Sequence, residues 1–174
     1  MDKKKSNKPE LKGETGWIEI DYPEIYRKEK FFVIGDQSED RLKVKYFFRE
    51  SDHRFFGKVF FGKATQGPPG HAHGGSMAAV LDEAMGFSSW IAGYTVVAAK
   101  IIVEYIEMLP VNSVVTVEAW VESVDGRKVT TKGKIYAGDV IFSTAEGLFI
   151  NIPVEKFGDL SHYLYDVRKQ LKKQ

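Results

Sequence analysis

The chain has 174 residues, 43% of them apolar and 28% charged, with 25 Lys and Arg against 24 Asp and Glu. That is the length of one domain of roughly 100–200 residues, able to bury about two thirds of its unfolded surface without staples. A net charge of +1 argues against a nucleic-acid binder, which needs a clustered basic excess. The absence of cysteine excludes a disulfide scaffold, a thiolate nucleophile and Cys-based metal sites, and it suits a reducing compartment.

Residues 1–15, rich in Lys, Asp, Asn, Ser and Gly, read as a solvated arm, and the Lys3–Lys5 run as part of a frayed tail. The start has no apolar h-region. The most apolar stretch, 84–106, is interrupted by Ser88, Ser89, Lys100 and Glu104, whereas a membrane span needs about 20 nearly uncharged residues. The expectation is a soluble, cytoplasmic protein without a membrane partner. Residues 16–33 form a weakly patterned lead-in around Trp17, Ile18, Ile20, Tyr22 and Ile25. From residue 41 the period becomes two: Leu42, Val44, Tyr46 and Phe48 alternate with Arg41, Lys43, Lys45 and Phe47, which predicts a half-buried strand. Arg54 to Phe61 predicts a second, with Gly57 marking a bulge or close approach. The breaker run from Gln66 to Gly70 is a loop.

From His73 to Gly93 the apolar residues cover nearly every direction around a helix, which predicts a buried helix of roughly 16 residues, about 24 Å long. Ser76 is the expected N-cap and Gly93 the expected stop. Four strand-like runs follow, at 100–109, 114–124, 128–137 and 140–152. Turns at Asp125-Gly126 and Ala137-Gly138-Asp139 make hairpins of the last three. An amphipathic tail helix carries Leu160, Tyr163, Leu164, Val167 and Leu171. The predicted organisation is an N-terminal arm over 1–35, disordered in part, a core domain over 36–153 and a helical tail over 154–174. One helix hydrophobic all round must be wrapped on most sides, and a curved antiparallel sheet does that, with a second copy covering the rest. This α+β arrangement is the hot-dog fold.

Asp82 lies midway along the helix, and four of its five helical neighbours, Ala78, Ala79, Gly86 and Ser89, are small; the fifth is Met85. Burying an unpaired carboxylate costs several kcal/mol. Asp82 is therefore either a general base or nucleophile with a perturbed pKa, or a structural acid holding a loop or a lysine. Glu83 points about 100° away and reads as a surface or inter-subunit salt-bridge residue, with a reserve role as acid. His73-Gly74-Gly75 before the helix offers backbone N–H groups at a positive helix terminus, which suits an oxyanion hole or a plain loop-to-helix turn. His71-Ala72-His73 has metal-compatible spacing but no obvious third ligand. Asp125-Gly126-Arg127-Lys128 places two cations on a hairpin tip, where they either hold phosphates or stand in solvent. There is no G-x-S-x-G elbow, no G-x-G-x-x-G and no Walker A run.

The run Gly67-Pro68-Pro69-Gly70-His71-Ala72-His73-Gly74-Gly75, with Asp82 nine residues after His73, resembles the hot-dog acyl-CoA thioesterases, above all the phenylacetate-pathway and thioesterase-superfamily-member branch. The Val124–Lys128 hairpin resembles the same branch, and the likeness spans roughly 40–152. The resemblance implies hydrolysis of acyl-CoA thioesters without metal or other cofactor. Asp82 would act as base or nucleophile, Gly74 N–H would polarise the carbonyl, and His73 would shape its loop. Gly75 and Met85 would bind substrate, and Gly126, Arg127 and Lys128 would receive the nucleotide end of CoA. It also implies homodimers, often paired into dimers of dimers. Helical spacing adds an independent argument. Eight residues separate Gly74 from Asp82, about 12 Å along an axis, too far for one thioester to reach both in one chain. An antiparallel pair of helices would bring Gly74 of one copy to Asp82 of the other. The sequence departs from the family where relatives carry Ser or Thr sixteen residues after the Asp: that position is Ala98, with Thr95, Ser88 and Ser89 as the nearby hydroxyls. Where the branch has Asn, six residues before the His, this chain has Gly67, next to Gln66. Ala98 keeps open a non-catalytic acyl-CoA-binding protein, and a hydratase using His73 and Asp82 is a third reading.

Overall fold

A computed structural model describes residues 9–22, 25–28, 30–36 and 38–158. The Lys3–Lys5 run and the predicted tail helix from Leu160 onward lie outside the described residues. The elements in chain order are β1 (Ile18–Glu19), α1 (Ile25–Lys28), β2 (Leu42–Arg49), β3 (Arg54–Phe61), α2 (Gly74–Ile91), β4 (Val96–Tyr105), β5 (Ser113–Asp125), β6 (Lys128–Ala137) and β7 (Val140–Asn151). All the strands join one antiparallel sheet in the order β1-β2-β3-β5-β6-β7-β4. The helix α2, the one long helix among the described residues, packs on β3, β4, β5, β6 and β7, so one curved sheet wraps it.

The wrapping follows from the sequence. Met77, Val80, Leu81, Ala84, Met85 and Phe87 of α2 are buried, together with Val115, Val117 and Ala119 of β5, whose opposite face buries Thr116 and Glu118. The β5–β6 and β6–β7 loops contain two residues each, Gly126-Arg127 and Gly138-Asp139. Both glycines take φ +56°, the left-handed conformation that tight hairpins require and glycine supplies. Gly57 shows the predicted close approach: a side chain there would come within 2.7 Å of the Tyr46 ring and 2.8 Å of Val117.

Three expectations are corrected. The fourth strand spans Val96–Tyr105 rather than 100–109, because Val96 pairs with Asn151 and is buried although the Ala98-Ala99-Lys100 run that follows has no alternation. The helix begins at Gly74 with His73, not Ser76, as its N-cap. Phe47, on the polar face of the alternation in β2, is also buried. The chain before residue 20 explains it: Trp17 stacks on Phe56 at 4.1 Å, lies 5.6 Å from the Phe47 ring and is reached by Lys58, which also pairs with Glu14. At the far edge, β4 has no strand partner beyond β7 among the described residues. It exposes Val97, Ile102 and Tyr105, and the chain just after it exposes Ile106.

Candidate active site

The loop before α2 closes on itself. Gly67 N–H donates to His71 O at 2.9 Å, and His71 N–H to Pro68 O at 3.0 Å. His73 N–H donates to Thr65 O at 2.7 Å, and Ala72 N–H to Leu109 O at 2.8 Å. The loop delivers His73 to the N-cap, where its Nδ1 accepts from Gly75 N–H at 2.9 Å. The His73 carbonyl accepts from Ser76 N–H at 2.9 Å, Met77 N–H at 3.4 Å and the Ser76 hydroxyl at 2.7 Å. A trans peptide is planar, so its N–H points opposite its C=O. With the His73 carbonyl drawn into the helix, the N–H of Gly74 points out of the helix terminus, and it has no partner among the described residues. One free donor at a positive helix end is therefore present. The second glycine differs from expectation, because its N–H is taken by His73. A side chain at Gly67, where the related branch has Asn, would meet the His73 backbone at 2.8 Å, so this loop has no room for one.

Asp82 is half-buried and makes no hydrogen bond or ion pair among the described residues. Burial alone raises its carboxyl above the ordinary aspartate range. It lies on a half-buried stripe with Ala78, Ala79 and Gly86, the part of α2 that the chain's own sheet leaves uncovered. The carboxylate thus has neither the loop nor the lysine that a structural acid would hold.

Glu83 corrects the surface reading. It accepts from the Tyr46 hydroxyl at 2.7 Å, and the backbone amides of Ile34 and Val33 lie against it. Tyr22 and Tyr26 stand close enough for its charge to raise their hydroxyls further above their usual range, after burial. Burial pushes Glu83 up to about 7, helped by the charge of Asp82 and opposed by the donors from Tyr46, Ile34 and Val33. Sequence reasoning missed this pairing because Tyr46 is 37 residues away in the chain.

The other predicted residues are scattered. Met85 has no exposed surface and packs toward Gly133 of β6, so it is a core residue and lines no open pocket in the chain. Gly126, Arg127 and Lys128 form the exposed β5–β6 hairpin tip. There Arg127 Nε donates to Asn151 O at 3.1 Å, near the C-terminal end of α2, where Trp90 donates to Val96 O. The helix of 18 residues, about 27 Å long, separates this tip from the His73–Gly75 turn. His71 directs Nδ1 at Pro69 O, away from the His73 bond to Gly75. Among the described residues no group of three or more His, Cys, Asp or Glu is placed to hold a metal, and no helix is long and apolar enough to cross a membrane. Ala98 sits beside a bulge in β4, and the Ser88 and Ser89 hydroxyls both donate to Met85 O. Neither serine therefore replaces the missing hydroxyl.

A hot-dog domain, with its helix N-terminus capped by a His-Gly-Gly turn and a bare carboxylate midway along, is what the fold and these residues define. Residues 69–141 match the family model described as thioesterase superfamily. The chain is 28% identical over 134 residues to the acyl-coenzyme A thioesterase THEM4 of Xenopus laevis, covering 75% of this chain and 60% of that protein. It is 32% identical over 122 residues to the Bos taurus THEM4, covering 68% and 50%. A solved thioesterase superfamily protein superposes with a TM-score of 0.59 at 35% identity, over 62% of this chain and 53% of its own. The chain thus spans about half to three fifths of the length of these relatives, and its hot-dog domain belongs to the thioesterase superfamily.

Proposed function

We propose that the protein hydrolyses acyl-CoA thioesters to a free acid and CoA. The observation that carries the reading is the pair of unsatisfied groups on α2: the outward Gly74 N–H and the unpaired carboxylate of Asp82. The relatives named as acyl-CoA thioesterases support it. In the proposed reaction Asp82 takes a proton from water as the water oxygen attacks the thioester carbon. The carbonyl oxygen becomes an oxyanion held by Gly74 N–H. The C–S bond then breaks, and the CoA thiolate recovers the proton. Attack by Asp82 itself, through an anhydride that water then opens, uses the same two groups. No metal or organic cofactor enters either route. The exposed Arg127 and Lys128 supply charge for the phosphates of CoA, with Gly126 letting the tip turn.

Both reacting groups lie on one helix, about 12 Å apart along its axis, whereas one carbonyl needs both within about 3 Å or one water. We place the site between two copies, with Gly74 from one and Asp82 from its partner. The unpaired β4 edge with its exposed apolar residues and the half-buried stripe of α2 are the surfaces such a homodimer would cover. Two sites per dimer and pairing into a dimer of dimers follow the same reading, as does a cytoplasmic location.

The test is thiol release from short aliphatic, long-chain and aryl acyl-CoAs by the purified protein and by Asp82→Asn. Release by the wild type that falls about 10³-fold in the variant, as for loss of a general base, supports hydrolysis. A second reading, binding of acyl-CoA without turnover, draws on Ala98 and on the occupied hydroxyls of Ser88 and Ser89. It predicts no release from any ester, with acyl-CoA raising the melting temperature.

A further inference from the structure

The Tyr105 hydroxyl donates to the Gly74 carbonyl at 2.9 Å. Tyr105 ends the edge strand β4 and is 53% exposed. Its ring also lies over Gly74, so that a side chain there would come within 3.0 Å of Tyr105 Cζ. The Gly74 carbonyl and the Gly75 N–H belong to one planar peptide, and that N–H donates to His73 Nδ1. The three groups therefore form a chain, from the Tyr105 O–H through the Gly74–Gly75 peptide to the His73 ring. Hydrogen bonds in series polarise one another: donation to a carbonyl makes the N–H across the peptide a better donor. An Nδ1 that accepts a proton leaves the neutral ring's proton on Nε2.

We propose that Tyr105 is a positioning residue for the proposed hydrolysis. From the edge strand it locks the Gly74–Gly75 peptide, and through that peptide it holds His73 with Nδ1 as acceptor and Nε2–H turned outward. The lock keeps Gly75 N–H on His73 and leaves Gly74 N–H as the donor that faces the substrate carbonyl. Neither β4 nor its tyrosine was singled out in the sequence as part of the site. The only available signal was an aromatic residue at the end of an exposed run.

The inference rests on the thioesterase reading, and the experiment separates the two. Tyr105→Phe keeps the ring against Gly74 and removes only the hydroxyl. With an acyl-CoA that the wild type turns over, kcat should fall about tenfold while KM stays within twofold and the melting temperature is unchanged. In the substrate-free protein, hydrogen exchange of the Gly75 amide should quicken severalfold, and the ¹⁵N resonances of the His73 ring should move toward a mixture of tautomers. A kcat within twofold of wild type, or an unchanged Gly75 amide and His73 ring, overturns the positioning role. Failure of the wild type to release thiol from any ester counts against the thioesterase reading, and the exchange and ¹⁵N measurements then decide the lock by themselves.

Discussion

Asp82 and Glu83 are consecutive carboxylates on one helix, and the two sides of α2 treat them in opposite ways. On the Glu83 side the chain before β2 folds back. Tyr46, Tyr22, Tyr26 and the backbone of Val33 and Ile34 surround the carboxylate, and the Tyr46 hydroxyl and the two backbone amides donate to it. On the Asp82 side the neighbours are Ala78, Ala79 and Gly86, and no donor reaches the carboxylate among the described residues. Both groups are raised by burial, so a raised pKa does not separate a reacting acid from a structural one. What separates them is partnership. A carboxylate whose lone pairs are used holds the fold, whereas one left bare beside small side chains has room for a substrate.

The sharpest way to break this contrast is to neutralise each acid in turn. Asp82→Asn should lower thiol release about 10³-fold, and Glu83→Gln should leave it within a few-fold; equal losses would merge the two roles. The acid limb of kcat/KM should also lie above the ordinary aspartate value of 3.8, since burial raises Asp82. The next effect concerns stability. Glu83 titrates near 4.5 when unfolded and at about 7 when folded. Between those values the native state holds a proton that the unfolded chain has released, so its contribution to wild-type stability falls as pH rises through that window. Denaturant melts should therefore show Glu83→Gln gaining on wild type from pH 4.5 to 7, by about 3 kcal/mol in all, and holding level above. A gap that stays flat with pH would place Glu83 in water. Smaller again, Tyr46→Phe takes a donor from an enclosed carboxylate and should cost about 2 kcal/mol at pH 8, with less effect at pH 5, where Glu83 is protonated. The smallest effect belongs to the exposed hairpin: Lys128→Ala should raise KM for acyl-CoA a few-fold at low salt, leave kcat alone and lose its effect at high salt.

Much of this was legible in the chain. The alternation of β5, the Gly126 and Gly138 turns and the apolar helix with an aspartate midway depend on periods and turn residues that act within a few positions. They predicted the sheet, the helix and the place of Asp82 midway along it. What failed depended on distance in sequence or on an unfavoured residue in a role. Glu83 looked like a surface charge because its partner Tyr46 comes from another element. His73 was not read as a cap because Ser76 is the better intrinsic one, yet the closed loop delivers the histidine ring to Gly75 N–H. Met85 was expected to bind substrate, although β6 lies directly beneath it and leaves it no exposed surface. Tyr105 could not be placed until β4 was seen to end over Gly74.

The measurement that tests the account most directly joins two inactive chains. Asp82→Asn lacks the base. Gly74→Pro lacks the one N–H, at the first helical position, where proline fits the backbone; the ring it crowds, Tyr105, is exposed and has room to move. The two variants would be co-expressed with different tags and the doubly tagged dimer isolated. Each homodimer should be inactive, and the mixed dimer should release thiol at about half the wild-type rate, because one of its two sites takes Gly74 from one chain and Asp82 from the other. A mixed dimer as inactive as its parents would contradict the shared site, and an active Asp82→Asn homodimer would remove Asp82 from the chemistry.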